Sequence, residues 1–167
     1  MNLDGRARIF GDDVNTDAII LSSRKRKTID PNELKRYLFE SIAPAFAASV
    51  EPGDIIVAGT NFGCGSAMEV AATVIQAAGI RAVLARSVAR SFYRNAINNG
   101  LPVIECDTSL IHEGERLSIQ LADGVATVRD LTADRVIPGA PMPEIMLRIL
   151  ARGGLVEFLA AHGGWEK

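Results

Sequence analysis

The sequence predicts an α/β fold with a mixed β-sheet flanked by helices, and three observations lead to this class. Two consecutive strand–helix–strand patterns between residues 55 and 104 indicate parallel strands. Two alternating segments, 115–121 and 125–128, flank a turn that ends in Asp123-Gly124 and indicate an antiparallel hairpin. The length of 167 residues, with 48% hydrophobic but only 5% aromatic residues, suits one compact domain with an aliphatic core. We therefore expect a single domain over residues 1–167.

The N-terminal third contains one predicted strand and two short predicted helices. Residues 6–10 alternate partly and precede the turn-prone Gly11-Asp12-Asp13. Asp30-Pro31 has the form of a helix N-cap followed by proline at the first helical position. The alanine-rich residues 42–50 predict a second short helix, after which residues 51–54 turn the chain into the next strand.

A basic segment, Arg24-Lys25-Arg26-Lys27, lies between the first strand and the first predicted helix. Four adjacent cations in a polar stretch are typical of a solvated surface. They also suit a mobile arm that closes on a carboxylate or phosphate, because the arginine guanidinium matches such groups bidentately. The residues alone leave both interpretations open.

Residues 61–69 join an apolar strand at 55–59 to a helix predicted over about 67–78, which ends at Gly79. Gly63 and Gly65 permit a tight turn between the two elements. The first amides of the helix have no internal acceptor and point outward. The turn is therefore a predicted anion-binding site.

Ser66 lies where those amides converge. On spacing alone it caps the helix, with Glu69 three residues later closing a capping box. A serine hydroxyl at this position also suits a binding or catalytic site, and the two roles are compatible.

The second half begins with another strand, helix and strand, over residues 81–85, 88–97 and 101–104. After the hairpin, the tail over 145–159 reads as helices interrupted by Gly153-Gly154. In the 88–97 helix, Arg90 and Arg94 are one turn apart and share a face. The residues alone leave two interpretations open. These arginines form salt bridges with surface acids, or they support a polar site or a contact with another subunit.

Composition excludes several classes of function. The formal net charge of −2 argues against a nucleic-acid binder dominated by electrostatics. No apolar run approaches the roughly 20 residues that span a bilayer, and the start lacks the basic and apolar regions of a signal peptide. We therefore expect a cytoplasmic protein.

The cysteines and histidines give no metal-ligand spacing. Cys64 and Cys106 are the only two cysteines, so the chain cannot supply four thiolates to an iron–sulfur cluster, and Cys106 after an apolar strand is expected in the core. His112 and His162 are far apart in sequence and are expected at the surface. The expected metal-ligand set of this chain is none.

Four motifs occur in order along the chain. They are Gly11-Asp12-Asp13-Val14-Asn15-Thr16-Asp17, Pro52-Gly53-Asp54-Ile55-Ile56-Val57-Ala58-Gly59, Asn61-Phe62-Gly63-Cys64-Gly65-Ser66 and Phe92-Tyr93-Arg94-Asn95-Ala96-Ile97-Asn98-Asn99-Gly100-Leu101-Pro102. Together they resemble the small-subunit family of 3-isopropylmalate dehydratase, within the aconitase superfamily. The likeness covers about residues 5–106, and four separate motifs are far more specific than one glycine loop.

The resemblance implies a swivelling β/β/α domain, a mixed sheet or barrel flanked by helices, in an iron–sulfur hydro-lyase. It implies a large-subunit partner that carries a [4Fe-4S] cluster, and a malate-type hydroxy diacid as substrate, by default 3-isopropylmalate in leucine biosynthesis. It makes Ser66 the base, Asp17 an acidic site residue, and Gly63, Cys64 and Gly65 the turn at the substrate. A serine hydroxyl is a weak base, so helix-start amides and nearby cations must stabilise its alkoxide.

Two departures from the family bear on the substrate. The family usually continues Gly-Ser-Ser-Arg-Glu, whose second serine and arginine hold a substrate carboxylate, whereas this chain has Ala67 and Met68. A lost charge-assisted contact costs ~1.5–3 kcal/mol, or roughly 10- to 150-fold in binding. The basic segment is the expected replacement, with Arg24, Arg26 and Lys27 binding a more polar or more anionic acid.

Three alternatives stay open at this point. In the first, the substrate is a related acid of the 2,3-dimethylmalate, citramalate or homoaconitate type. In the second, Ala67 and Met68 mark a non-catalytic paralogue. The third is a stand-alone enzyme. A stand-alone enzyme with Cys64 as nucleophile requires a base, and neither histidine has a clear claim to reach it. A dinucleotide-binding fold is set aside because the turn lacks the third glycine.

Overall fold

The computed structural model describes residues 1–163 and contains a seven-stranded mixed sheet. The strands are β1 (Asn2–Ile9), β2 (Ile55–Ala58), β3 (Ala82–Ala85), β4 (Val103–Glu105), β5 (Arg116–Ala122), β6 (Val125–Asp130) and β7 (Arg135–Pro138). Their order across the sheet is β4-β3-β2-β1-β5-β6-β7. β1 pairs with β2 in parallel and with β5 in antiparallel orientation, so the central strand joins the two halves. The predicted α/β class with a mixed sheet is confirmed.

The helices cover both faces of the central parallel strands β2 and β3. Within residues 1–163 they are α1 (Thr16–Ile19), α2 (Ser22–Lys25), α3 (Pro31–Leu34) continued by a 3-10 turn (Lys35–Tyr37), α4 (Phe46–Ser49), α5 (Glu69–Ala77), α6 (Arg90–Asn98), α7 (Glu144–Ala151) and α8 (Leu155–His162). The predicted cap of α3 is confirmed, because the Asp30 carboxylate accepts a hydrogen bond from Asn32 N at 2.9 Å and Pro31 is the first helical residue.

The core lies on both sides of β2 and β3. Ile56 and Val83 pack with residues of α3 to α6 on one side, while Ile55 and Leu84 pack toward α7 and α8 on the other. A parallel strand that is covered on both faces requires an apolar residue at every position. This requirement accounts for the continuous apolar run of β2.

The sheet curls until its two edges meet at one corner. Cys106, directly after β4, forms an antiparallel bridge with Gly139, directly after β7. Ala140 N donates to Glu105 O at 2.7 Å. A Cβ at Gly139 would lie 2.7 Å from side-chain atoms of Ala126 and Ile104, so glycine permits this close approach. The result is a half-barrel, and the predicted burial of Cys106 is confirmed.

The start of α5 differs from the prediction. We expected a helix from residue 67 with a capping box formed by Ser66 and Glu69, whereas α5 begins at Glu69 with Met68 as its N-cap and no side-chain cap. The interpretation of Ser66 as the cap is therefore wrong. Ser66 lies two residues before the cap because contacts with the N-terminal segment, described below, extend the turn.

Other differences have long-range causes. β1 begins at Asn2 rather than at residue 6, because its first residues pair with β5, more than 100 positions away. β7 was not predicted, since its four residues are ordered by pairing with β6 at the sheet edge. Part of the basic segment forms the single turn α2 rather than an irregular loop.

Candidate active site at the glycine turn

The glycine turn is bound to the N-terminal segment along its length. Gly63 N donates to Val14 O at 2.7 Å, and Thr16 N donates to Cys64 O at 2.9 Å. The Thr16 hydroxyl, on a buried residue, donates to the Ser66 carbonyl at 2.9 Å. The structure thus brings together two motifs that are about 50 residues apart in the sequence.

Two glycines permit the path of this turn. Gly63 has φ of +75° and Gly65 has φ of +90°, which is the left-handed region where side chains are strained. A Cβ on Gly63 would also overlap the side chain of Phe92. Any other residue at position 63 would push the turn away from α6.

The Ser66 side chain is exposed at the N-terminal end of α5. Because no side chain caps that helix, its first amides, including those of Glu69 and Val70, face outward with the positive end of the helix dipole. The backbone of Ser66 is fixed by Thr16, while its hydroxyl takes part in no hydrogen bond with residues 1–163. This arrangement presents a hydroxyl and a positive potential to the same small ligand.

Asp17 lies in the first turn of α1, adjacent to Thr16. Asn15 caps this turn by accepting from Ala18 N at 2.7 Å, and the Asp17 carboxylate accepts from the Ser22 hydroxyl at 2.6 Å. Since Thr16 is bonded to the glycine turn, the predicted site residues Asp17 and Ser66 belong to adjoining segments.

Arg24 is turned toward the protein rather than toward solvent. Its guanidinium forms two hydrogen bonds of 2.8 Å with the Glu40 carboxylate and lies 3.9 Å over the Tyr37 ring. The hydrogen bonds raise the pKa of Arg24 and lower the pKa of Glu40. Arg24 reaches a ligand only if this pair opens.

The other three cations of the basic segment differ in position. Arg26 and Lys27 are exposed. The ammonium of Lys25 contacts the sulfur of Met68, the N-cap of α5. Lys25 therefore brings a positive charge to the helix start beside Ser66, so that this segment and the glycine turn form one surface.

Sequence reasoning missed four residues of this site: Asn15 and Thr16, which hold the two motifs together, Lys25, and Glu40 as the partner of Arg24. Two local signals pointed to three of them, because Asn15-Thr16 are adjacent to Asp17 and Lys25 belongs to the basic segment. Thr16 contacts Ser66, 50 positions away, and Glu40 contacts Arg24, 16 positions away, so neither contact is visible in a local pattern.

The other candidates are the two histidines and Cys64. His112 is exposed and its ring nitrogen lies 3.3 Å from Glu115, while the side chain of His162 is outside the described part of the chain. No basic side chain of residues 1–163 bonds the Cys64 thiol. Within the same residues, no three His, Cys, Asp or Glu side chains converge as metal ligands.

Comparison with known proteins places this geometry in a family. The Aconitase C-terminal domain profile matches residues 17–109. The 3-isopropylmalate dehydratase small subunit 1 of Methanopyrus kandleri is 45% identical over 161 residues, which is 95% of this chain and 93% of that protein. The small subunit of Moorella thermoacetica is 45% identical over 162 residues, or 96% of each chain. The crystal structure of 3-isopropylmalate dehydratase (leuD) from Methanocaldococcus jannaschii superposes with a TM-score of 0.91 at 43% identity, covering 98% of this chain and 96% of that one.

The fold and the glycine turn therefore define an aconitase-type C-terminal domain. More narrowly, the chain belongs to the family of 3-isopropylmalate dehydratase small subunits. The resemblance predicted from the four sequence motifs is confirmed.

Proposed function

We propose that this chain is the small subunit of a hydro-lyase that acts on a malate-type hydroxy diacid together with a large subunit in the cytoplasm. The leading substrate is 3-isopropylmalate in leucine biosynthesis, as the names of the relatives indicate. The observation that carries the proposal is Ser66, an exposed hydroxyl fixed by Thr16 at the uncapped start of α5. The chain acts as one swivelling domain that presents this hydroxyl to the partner.

The donor groups of this chain do not fit an iron–sulfur cluster. Its only cysteines are Cys64 and Cys106, and burial raises the pKa of the Cys106 thiol to about 12, which disfavours the thiolate that ligates iron. We therefore propose that the [4Fe-4S] cluster of the enzyme belongs to the large subunit.

Ser66 is the proposed base. Its alkoxide removes a proton from the substrate carbon next to the one that bears the hydroxyl group, and the C–H electron pair forms the carbon–carbon double bond as the C–O bond breaks and hydroxide leaves. In hydration, hydroxide adds back to one carbon of the double bond and the Ser66 hydroxyl returns the proton to the other. A charge of this kind is stabilised by outward amides at a helix start and by a nearby cation, because both are in place before the reaction. The start of α5 and Lys25 supply these two groups.

The substrate carboxylates are proposed to bind the turn amides of Cys64 and Gly65 and the exposed cations Arg26 and Lys27. Gly63, whose amide already donates to Val14 O, is proposed to shape the turn at the substrate. Asp17, bonded to Ser22, is the proposed acidic residue of the site. Direct binding of substrate by Arg24 requires the opening of its pair with Glu40.

A related, more anionic acid is a second candidate substrate. Its support is local: Met68 is buried beneath the Lys25 ammonium, so a long flexible cation lies beside the turn. Lysine binds anions as a mobile point charge rather than as a bidentate fork. With lysine in place of an arginine, the site is therefore expected to accept a wider range of carboxylate positions in the substrate.

The test is to reconstitute the chain with its large subunit under anaerobic conditions. We expect turnover of 3-isopropylmalate or of a related acid by the complex, and none by the chain alone. Ser66→Ala should abolish turnover and leave assembly intact, whereas Ser41→Ala, a change at another exposed serine, should not affect the rate. Full activity of Ser66→Ala would show that Ser66 is not the base. A complex that turns over none of these acids would contradict the proposed function.

A further inference from the structure

A pocket lies between α6, β4 and α7, apart from the glycine turn. It has a volume of about 310 Å³ and is lined by Val88, Arg90, Tyr93, Arg94, Glu105 and Met146. We call it the α6 pocket. At about 30 Å³ per water molecule, the volume corresponds to roughly ten heavy atoms. It lies at the lower end of the range of small-molecule sites.

The two arginines of this pocket lack protein partners. The sequence left open that Arg90 and Arg94 form salt bridges with surface acids, but within residues 1–163 neither side chain forms an ion pair or hydrogen bond. Both are exposed, one turn apart on α6. Two guanidinium groups held on one helix face can grip a carboxylate bidentately.

The α6 pocket also contains a negative charge. Glu105 is half-buried at the end of β4, and one of its oxygens accepts from Val88 N at 2.8 Å. This bond fixes the carboxylate and leaves its second oxygen available to a donor. The pocket therefore presents positive and negative groups to the same ligand, and Tyr93, Val88 and Met146 complete its lining.

The α6 pocket is separate from the glycine turn. Phe92 faces Gly63, whose added Cβ would overlap its side chain. At about 100° per residue, Arg90 and Arg94 lie roughly 160–200° around the helix from Phe92. The pocket and the turn thus lie on opposite sides of α6.

We propose that the α6 pocket binds a small α-amino acid with an apolar side chain. The ligand carboxylate lies against Arg90 and Arg94, and its ammonium donates to the free oxygen of Glu105. Its side chain packs against Val88 and Met146. A ligand without an ammonium gives no donor to the free oxygen of Glu105, so a zwitterion forms one more charge-assisted hydrogen bond in the pocket than a simple anion does.

The test is calorimetric titration of the full chain with L-leucine and two analogues of similar shape. One analogue, 4-methylpentanoate, lacks the ammonium, and the other, 3-methylbutylamine, lacks the carboxylate. Because a hydrogen bond to a charged group contributes tenfold or more to binding, each analogue should bind at least roughly tenfold more weakly than L-leucine. No binding of L-leucine at millimolar concentration, or equal binding of 4-methylpentanoate, would overturn the proposal.

Variants locate the binding. Arg94→Gln and Glu105→Gln should each weaken L-leucine binding by roughly tenfold or more. Glu105→Gln keeps an acceptor for Val88 N, so the fold is retained. Arg129→Gln on β6 and Arg26→Gln in the basic segment, both exposed arginines, should leave the affinity unchanged. An affinity that falls with Arg26→Gln but not with Arg94→Gln would place the ligand at the glycine turn and refute the assignment.

Discussion

The side-chain amide of Asn61 donates a hydrogen bond to the Asp13 carboxylate at 2.8 Å, and both residues have positive φ, +58° and +54°. Asp13 N also donates to Thr60 O at 2.9 Å. This pair joins the loop after β1 to the loop after β2, within the two motifs that form the site. Its geometry therefore determines how the N-terminal segment approaches the glycine turn.

The first prediction concerns this pair. Asn61→Ala should lower the free energy of unfolding by about 1–2 kcal/mol, because it removes the hydrogen bond and leaves alanine in a left-handed conformation that asparagine tolerates better. Asn61→Gly also removes the bond but accepts the positive φ, so its loss should be smaller. Urea denaturation of the three proteins measures the difference. Equal losses would show that backbone strain is unimportant here.

The second prediction concerns the support of Ser66 by Thr16. Thr16→Val preserves the shape of the side chain but removes the donor to the Ser66 carbonyl, so kcat of the reconstituted enzyme should fall while stability drops by about 1 kcal/mol. Thr16→Ser keeps the hydroxyl and should restore kcat. If the Thr16→Val and Thr16→Ser enzymes have equal kcat, the hydrogen bond from Thr16 to the Ser66 carbonyl does not position the turn.

The third prediction concerns pH. Asp54 is buried and accepts from Arg6 Nε at 3.2 Å, Arg8 at 2.8 Å and Glu51 N at 3.1 Å. Burial by itself raises the pKa of the Asp54 carboxyl, but the hydrogen bonds from Arg6, Glu51 N and Arg8 hold its pKa below the ordinary value. A lowered folded-state pKa means that the carboxylate stabilises the fold fully above its unfolded pKa, about 3.9, and that this contribution is lost as pH falls through the folded value.

Asp54→Asn should therefore lower the free energy of unfolding at pH 7 by about 2 kcal/mol, and the difference from wild type should shrink as the pH falls below about 5. Urea midpoints at several pH values measure it. Asp4→Asn, a change at an exposed aspartate on β1, is the control and should show no comparable trend. A difference that is constant with pH would contradict a stabilising charge at Asp54.

The fourth prediction concerns the corner where the sheet edges meet. Gly139→Ala places a methyl group 2.7 Å from Ala126 and Ile104 side-chain atoms and should lower the free energy of unfolding by about 1–3 kcal/mol. Gly11→Ala is the matched control, because nothing lies within 4 Å of the added methyl and its φ is not positive. Thermal unfolding compares the two variants. A Gly139→Ala protein as stable as the control would mean that the β4 and β7 edges can move apart without lowering the free energy of unfolding.

Local features of the fold were predicted because their causes are local. The Asp123-Gly124 turn has φ of +52° and +75°, as a tight hairpin requires, and Gly79, with φ of +93°, follows the end of α5. The start of α5 was misplaced because a serine followed three residues later by glutamate is a common capping pattern. Here the bond from Thr16 holds Ser66 in the turn instead.

The sequence by itself determined most of the strand and helix segments, the glycine turn with Ser66 and the membership of the family, because spacing, turn residues and motifs are properties of neighbouring positions. Only the tertiary structure decided that Thr16 supports Ser66, that Arg24 turns inward to Glu40, and that Glu105 lines the same pocket as Arg90 and Arg94. These contacts form when distant segments pack on the same sheet. Local chain pattern contains no information on which of the many polar side chains will meet there.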